Sequence, residues 1–329
     1  MPTDRNVLTN MLAYGHMDGY NSDSKERERK YIGIHSGTYG RKSIGSITFD
    51  KGGESVRIIT DSSCDLPSEL IEKFNVLVVP LRIEIDGVDY VDGVNLSHEE
   101  FFEKMSMSAS LPKTSQPSPQ SFIDRFMEGL KESEDLLSIH LSSCLSGTYE
   151  GARQVKEEVN GNIEVFDTLS GSLGVGLQVL KACQLAKEGF EKSEIVEKIK
   201  EYREQLRVVV YLETLENAVK GGRVSRPKEF ISNLLNLKPV VHVEDGYVRV
   251  LKTLRGKKKA IRVLLEEMEK KKTDYSDQIV GITHCDCLEE AQKLKDEIIE
   301  RFNPSEVILT TMGPVIGTHA GIGGLLICF

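Results

Sequence analysis

Strand-length apolar runs alternate with helix-length amphipathic segments along this chain, and that alternation limits its fold more than any other feature. Val56-Arg57-Ile58-Ile59-Thr60 is a short β-rich run, residues 68–74 have helical spacing behind Pro67, and residues 76–81 are again a buried-type strand. Strand, helix and strand in that order favour a parallel sheet in an α/β fold. Residues 83–90 form a hairpin turning at Asp86-Gly87. Ser97-His98-Glu99-Glu100 is a capping box that starts a helix ending near Ser108. A Pro- and Ser-rich loop over 111–120 leads into a helix over 120–131. Strands over 135–141 and 163–166 flank a further helix over 148–159.

Residues 169–185 read as a helix rich in small residues, suited to close packing or to lining a cavity, and residues 193–205 as an amphipathic helix. The strand Val208-Val209-Val210-Tyr211 follows, and composition changes at Lys220-Gly221-Gly222-Arg223. Beyond it the pattern predicts a helix over 227–235, a hairpin over 240–252 turning at Asp245-Gly246 and a charged helix over 257–272. A strand over 278–283, a helix over 288–302 and two terminal strands end the chain. This divides the 329 residues into a polar, partly disordered leader (1–55), an α/β domain (56–207) and a second α/β domain (208–329).

A net charge of -9 argues against a nucleic-acid partner, which needs clustered Lys and Arg. No apolar run approaches the roughly 20 residues that span a bilayer, and the N-terminus lacks a signal pattern, so a cytoplasmic protein is expected. The six cysteines include no C-x-x-C pair and are expected to be reduced. His284-Cys285-Asp286-Cys287 lacks a second pair at zinc-ligand spacing and reads as a strand-to-helix turn. No Walker motif, G-x-G-x-x-G or H-E-x-x-H occurs, which argues against ATP binding by this chain.

Four polar stretches stand at strand ends or in loops: 60–65, Thr114-Ser115-Gln116-Pro117, 142–149, and Gly317-Thr318-His319 within Gly313-Pro314-Val315-Ile316-Gly317-Thr318-His319-Ala320-Gly321. The last reads as a glycine-rich turn carrying an imidazole beside a hydroxyl, suited to an anionic ligand because backbone N–H groups can point at it. Ligands of open α/β sheets bind beyond the carboxyl ends of the strands, so these stretches can converge on one crevice. A single hydroxyl cluster is more often a helix cap.

TDSSCDLP, TSQPSP, SSCLSGTYEGA, KGGRVS and GPVIGTHAGIGG, in that order, resemble the DegV family, which includes the fatty-acid-binding subunits of bacterial fatty acid kinases. The resemblance covers residues 56–329. It implies a two-domain DegV-like fold, with a parallel-sheet α/β/α N-terminal domain and a smaller two-layer α/β C-terminal domain, and a long acyl chain buried with its carboxylate in the interdomain cleft. It implies that Thr114 and Ser146 hydrogen-bond the carboxylate and that His319 approaches it, a protonated imidazole adding charge compensation. A buried carboxylate needs such donors. Ser115, Ser62 and Asp61 are secondary candidates, with Asp61 either orienting His319 or, the favoured reading, capping a helix. Arg255 matches a position at which kinase-dependent relatives engage the kinase or the phosphoryl group; Arg223 is a weaker candidate, with capping an equal alternative. After His319 the family commonly has Gly-Pro-Gly, where this chain has Gly321-Ile322-Gly323.

The expectation is a fatty-acid-binding protein, not an enzyme, that needs no cofactor or metal and holds a long-chain fatty acid as its ligand. It would present the carboxylate to a separate ATP-dependent fatty acid kinase for acyl-phosphate formation, and would exchange lipid by transient membrane-surface contact. Leu173, Val175, Leu177, Leu180, Phe230, Ile231, Leu234 and Leu235 are candidate tunnel walls, each individually more often plain core. Two rivals remain: a hydrolase with Ser146 as nucleophile, His319 as base and Asp61 as orienter, which lacks the G-x-S-x-G elbow, and a lipid-sensing regulatory module.

Overall fold

The computed structural model describes residues 56–224 and 237–329. The leader and the helix expected over 227–235, with Phe230, Ile231, Leu234 and Leu235, lie outside those residues. The described residues belong to one compact unit, Gly52–Phe329.

Thirteen strands are described: β1 (Arg57–Asp61), β2 (Leu77–Val79), β3 (Arg82–Ile85), β4 (Val88–Val91), β5 (Lys113–Ser115), β6 (Asp135–His140), β7 (Asn162–Asp167), β8 (Val208–Tyr211), β9 (Leu237–Glu244), β10 (Tyr247–Arg255), β11 (Ile279–His284), β12 (Glu306–Thr311) and β13 (Leu325–Cys328). They form a parallel sheet β2-β1-β6-β7, a mixed sheet β10-β9-β8-β13-β11-β12 and a small antiparallel sheet β4-β3-β5.

Alternation along the strands of the parallel sheet sends their side chains to two cores. Ile59, Leu136 and Val165 meet Phe122 and Phe126 of the helix Pro119–Gly129 on one face. Ile58, Leu137 and Ile139 join the helices Leu173–Lys187 and Lys192–Gln205 on the other. The mixed sheet is also two-faced. Val209, Tyr211 and Val240 pack with the helices Lys257–Lys271 and Leu288–Phe302, while Val208, Val210 and Val241 point into the first core. Each such buried aliphatic side chain contributes about 1.5–3 kcal/mol.

Three sequence expectations change. The loop expected over 111–120 contains β5, whose Thr114 pairs with Ile83, because the β-branched residue completes the ladder on β3. The expected turn at Gly313–Gly321 is the helix Pro314–Ala320: Pro314 sits in its first turn, where a missing N–H costs nothing. Finally, Leu173 and Val175 are sealed core. The small residues of their helix serve close packing, since a Cβ on Gly174 would lie 2.7 Å from Val208 Cγ2 and one on Gly176 2.6 Å from the Cys64 carbonyl. Leu177 and Leu180 border a separate cleft with Tyr202 and Ile279. The His284–Cys287 stretch is a strand-to-helix turn, with Cys287 the N-cap of the helix Leu288–Phe302.

Candidate functional site

β5 holds Thr114 half-buried, and the helix Pro314–Ala320 carries His319 to it, so that Thr114 Oγ1 and His319 Nε2 lie 3.1 Å apart across 205 positions of sequence. Gly317 lets this helix approach Phe101 and Phe102, whose ring atoms stand 3.1 and 3.3 Å from where a Cβ would be. The neighbouring hydroxyl of Thr318 is not a ligand donor: it is buried and donates back to the Pro314 carbonyl at 2.8 Å. After the helix, Gly321 and Gly323 take positive φ and Gly323 N–H donates to the Cys285 carbonyl at 2.7 Å. The turn therefore closes with Ile322 exposed, in place of the family's proline.

Ser146 comes from the turn between β6 and the helix Thr148–Lys156. Its hydroxyl pairs with Thr148 Oγ1 at 2.8 Å and accepts from Thr148 N–H at 3.3 Å. The preceding carbonyl, Leu145, accepts from Arg223 Nε at 3.1 Å, and Arg223 Nη1 donates to the Gly221 carbonyl at 2.6 Å. Gly147 leaves room for Gln116, whose Oε1 would stand 1.9 Å from a Cβ there.

Thr114, Ser146 and His319 line one cavity of about 180 Å³. Thr114, Ser115, Gln116, Ser146, Arg223 and His319 form its polar end. Most of the remaining wall is aliphatic, with Val208, Val210, Val241 and Val243 from β8 and β9, Leu212 just after β8, and Leu326 from β13. The aliphatic wall of this cavity is thus the valine-rich face of the mixed sheet together with Val315 and Ile316, and Leu173, Val175, Leu177 and Leu180 of the small-residue helix are not part of it.

Burial, and secondarily the Arg223 guanidinium, pushes the His319 imidazole down from its ordinary value to about 4. Its Nδ1 is buried without a hydrogen-bond partner. The ring is accordingly neutral near pH 7, and the positive charge at this end belongs to Arg223, which cannot deprotonate in a protein. Gly221 makes the ring's position available, since a Cβ there would fall 2.3 Å from Nδ1.

The secondary candidates separate. Ser115 is exposed at the cavity mouth. Asp61 and Ser62 are not among the lining residues. The fully buried Asp61 carboxylate accepts from Ser63 N–H, capping a 3-10 turn, and from Leu141 N–H, and stands 2.9 Å from His140 Nδ1. Ser62 Oγ accepts from Leu81 N–H. The triad that a hydrolase would need is not assembled: Asp61 serves His140, Ser146 serves Thr148, and His319 turns to Thr114. Arg255 ends β10, exposed, and does not line the cavity. The sequence singled out Gln116 only as part of the stretch 114–117 and Arg223 only as a weaker candidate, yet both line the polar end. Their signals were adjacency to Thr114 in TSQPSP and a cation directly after the KGG turn.

The family model described as "Uncharacterised protein, DegV family" matches residues 55–329. A DegV domain-containing protein of Caldanaerobacter subterraneus subsp. tengcongensis is 38% identical over 269 residues, 82% of this chain and 96% of that protein. One from Staphylococcus aureus strain COL is 36% identical over 268 residues, again 82% and 96%. Among solved structures, "Fatty Acid Binding of a DegV family Protein from Thermus thermophilus" aligns with a TM-score of 0.77 and 31% identity over 84% of this chain and 99% of that one. The Streptococcus pneumoniae Fatty Acid Kinase (Fak) B3 protein loaded with linoleic acid aligns with a TM-score of 0.73 and 27% identity, covering 84% and 99%.

Proposed function

Because this chain belongs to the DegV family, we propose that it binds a long-chain fatty acid, with the tail along the valine-lined cavity and the carboxylate at Thr114, Ser146 and His319. The observation that carries this reading is the Thr114–His319 pair, 3.1 Å apart, at the polar end of an otherwise aliphatic cavity. Two hydroxyls and a neutral imidazole donate to the carboxylate, and Arg223 compensates its charge, so the anion is not left unpaired. Each methylene placed against the valines contributes about 0.8 kcal/mol.

The carrier has no turnover of its own and needs no cofactor. It presents the carboxylate to a separate ATP-dependent fatty acid kinase for acyl-phosphate formation, and Arg255, exposed at the end of β10, contacts the kinase or the phosphoryl group. Residues 56–207 and 208–329 act as the two α/β domains that hold the ligand. No helix among the described residues is long and apolar enough to cross a membrane, and lipid is exchanged through transient contact with a membrane surface. Mass spectrometry of a denatured extract should find fatty acid in the purified protein. Adding a fatty acid kinase and ATP should yield acyl phosphate. Lipid-free protein that also fails to take up added fatty acid rules the reading out.

A further inference from the structure

Two residues in the wall of the aliphatic cavity also border a second, chemically opposite space. β8 and β9 run antiparallel with Val210 opposite Val241, and continuing the pairing outward sets Val208 beside Val243. That is the end of β8 remote from the segment that packs on the imidazole, because β8 runs from Val208 toward the helix Glu216–Lys220 and its Gly221. Val208 and Val243 line the aliphatic cavity and also a neighbouring cavity of about 530 Å³. The second space is polar. Arg203, Arg207 and His242 border it together with Ser170 and Gln178. Both Ser170 and Gln178 are buried, and Ser170 Oγ and Gln178 Oε1 have no hydrogen-bond partner in the protein.

We propose that Val208 and Val243 are the stop that sets the length of acyl chain this protein accepts. The inference rests on the fatty-acid reading above and adds its selectivity. A methyl terminus that reaches the two valines is fully covered by aliphatic surface. A longer chain must either buckle inside the cavity or pass between the valines into a space whose buried oxygens and guanidinium groups call for hydrogen bonds that a hydrocarbon cannot make. Affinity therefore climbs by about fourfold for each added methylene until the terminus meets the valines, and then levels or falls.

The test is the dissociation constant of a homologous series of straight-chain saturated acids, measured for the wild-type protein and for Val208→Ala, Val243→Ala and Val243→Phe. In the alanine variants the break in the series should move to longer acids by about two methylene groups, the space that the lost methyls leave. In Val243→Phe it should move to shorter ones. Val208 is buried, so if Val208→Ala does not fold, the half-buried Val243 pair decides by the same opposed shifts. A break at one unchanged length in every folded variant overturns the stop while leaving the fatty-acid reading standing. A wild-type protein that binds no acid of any length overturns that reading and the stop with it.

Discussion

The carboxylate of Asp65 accepts a hydrogen bond from the backbone N–H of Gly313, 2.9 Å away and 248 positions later in the chain. Its other oxygen accepts from Ser172 Oγ at 2.5 Å, so one side chain ties the first loop to the start of the helix that carries His319. Burial pushes Asp65 up to about 8 against the opposing effect of both bonds, and Asp92, nearby and also buried, up to about 7. A carboxyl raised in the fold contributes stability that is fully present below its unfolded pKa and is lost as pH rises through the folded one. Thermal melting midpoints should therefore fall as pH rises from the ordinary carboxyl value of 3.8 to about 8, and level off above it. Asp65→Asn, which copies the protonated acid, should flatten that fall and keep the fold, whereas Asp65→Ala should lower the midpoint at every pH.

His319 works in the opposite direction. Its folded pKa of about 4 lies below the ordinary value of 6.5. Stability from the neutral ring is present above the unfolded pKa and lost as pH falls through the folded one, an effect on the order of 3 kcal/mol. His319→Gln should remove this acid-side slope. Titration of the imidazole by NMR should show Arg223→Met raising its pKa only part of the way to the ordinary value, because burial, the larger cause, remains.

Thr114→Val keeps the shape of the side chain and removes the hydroxyl that meets the imidazole. Loss of one hydrogen bond to a charged acceptor should weaken fatty-acid binding by on the order of ten- to a hundredfold, read by displacement of a fluorescent fatty acid. Thr114→Ser should recover most of it. An unchanged affinity in Thr114→Val would remove Thr114 from the headgroup site.

Gly221→Ala is a steric probe of the ring's seat. The backbone there has φ −73° and ψ −10°, which alanine adopts without strain, yet the added methyl would stand 2.3 Å from Nδ1. The variant should melt within a few degrees of wild type and lose affinity as His319→Ala does. Normal binding by Gly221→Ala would show that the ring does not need its present position.

Strand and helix order was legible because each local pattern agreed with the final packing. The capping box at Ser97 and Glu100 forms as spaced, and the Asp86-Gly87 and Asp245-Gly246 turns close their hairpins. What stayed hidden depends on direction and neighbours. VVVY announces a strand but not which valines face a hollow, since both its faces are apolar and only tertiary packing distinguishes them. Small residues over 173–187 fit a cavity wall and a tight helix–sheet seam equally, and Gly174 and Gly176 belong to the seam. At Gly313–Gly321 the glycines pointed to a turn, while Pro314 at the first position permitted a helix. The meeting of Thr114 with His319 came from the order of the motifs; no local pattern in either segment predicts it.

The alternation along β8 couples the hollow to the far side of its sheet. Val208 and Val210 face the space a tail would fill, and Val209 and Tyr211, one residue out of step, clamp the opposite helices. Any occupant leaning on the first pair steadies the same short length of backbone that anchors the second. Slowed amide hydrogen exchange in this strand, read with and without added lipid, would make four consecutive residues a gauge of whether the protein is loaded.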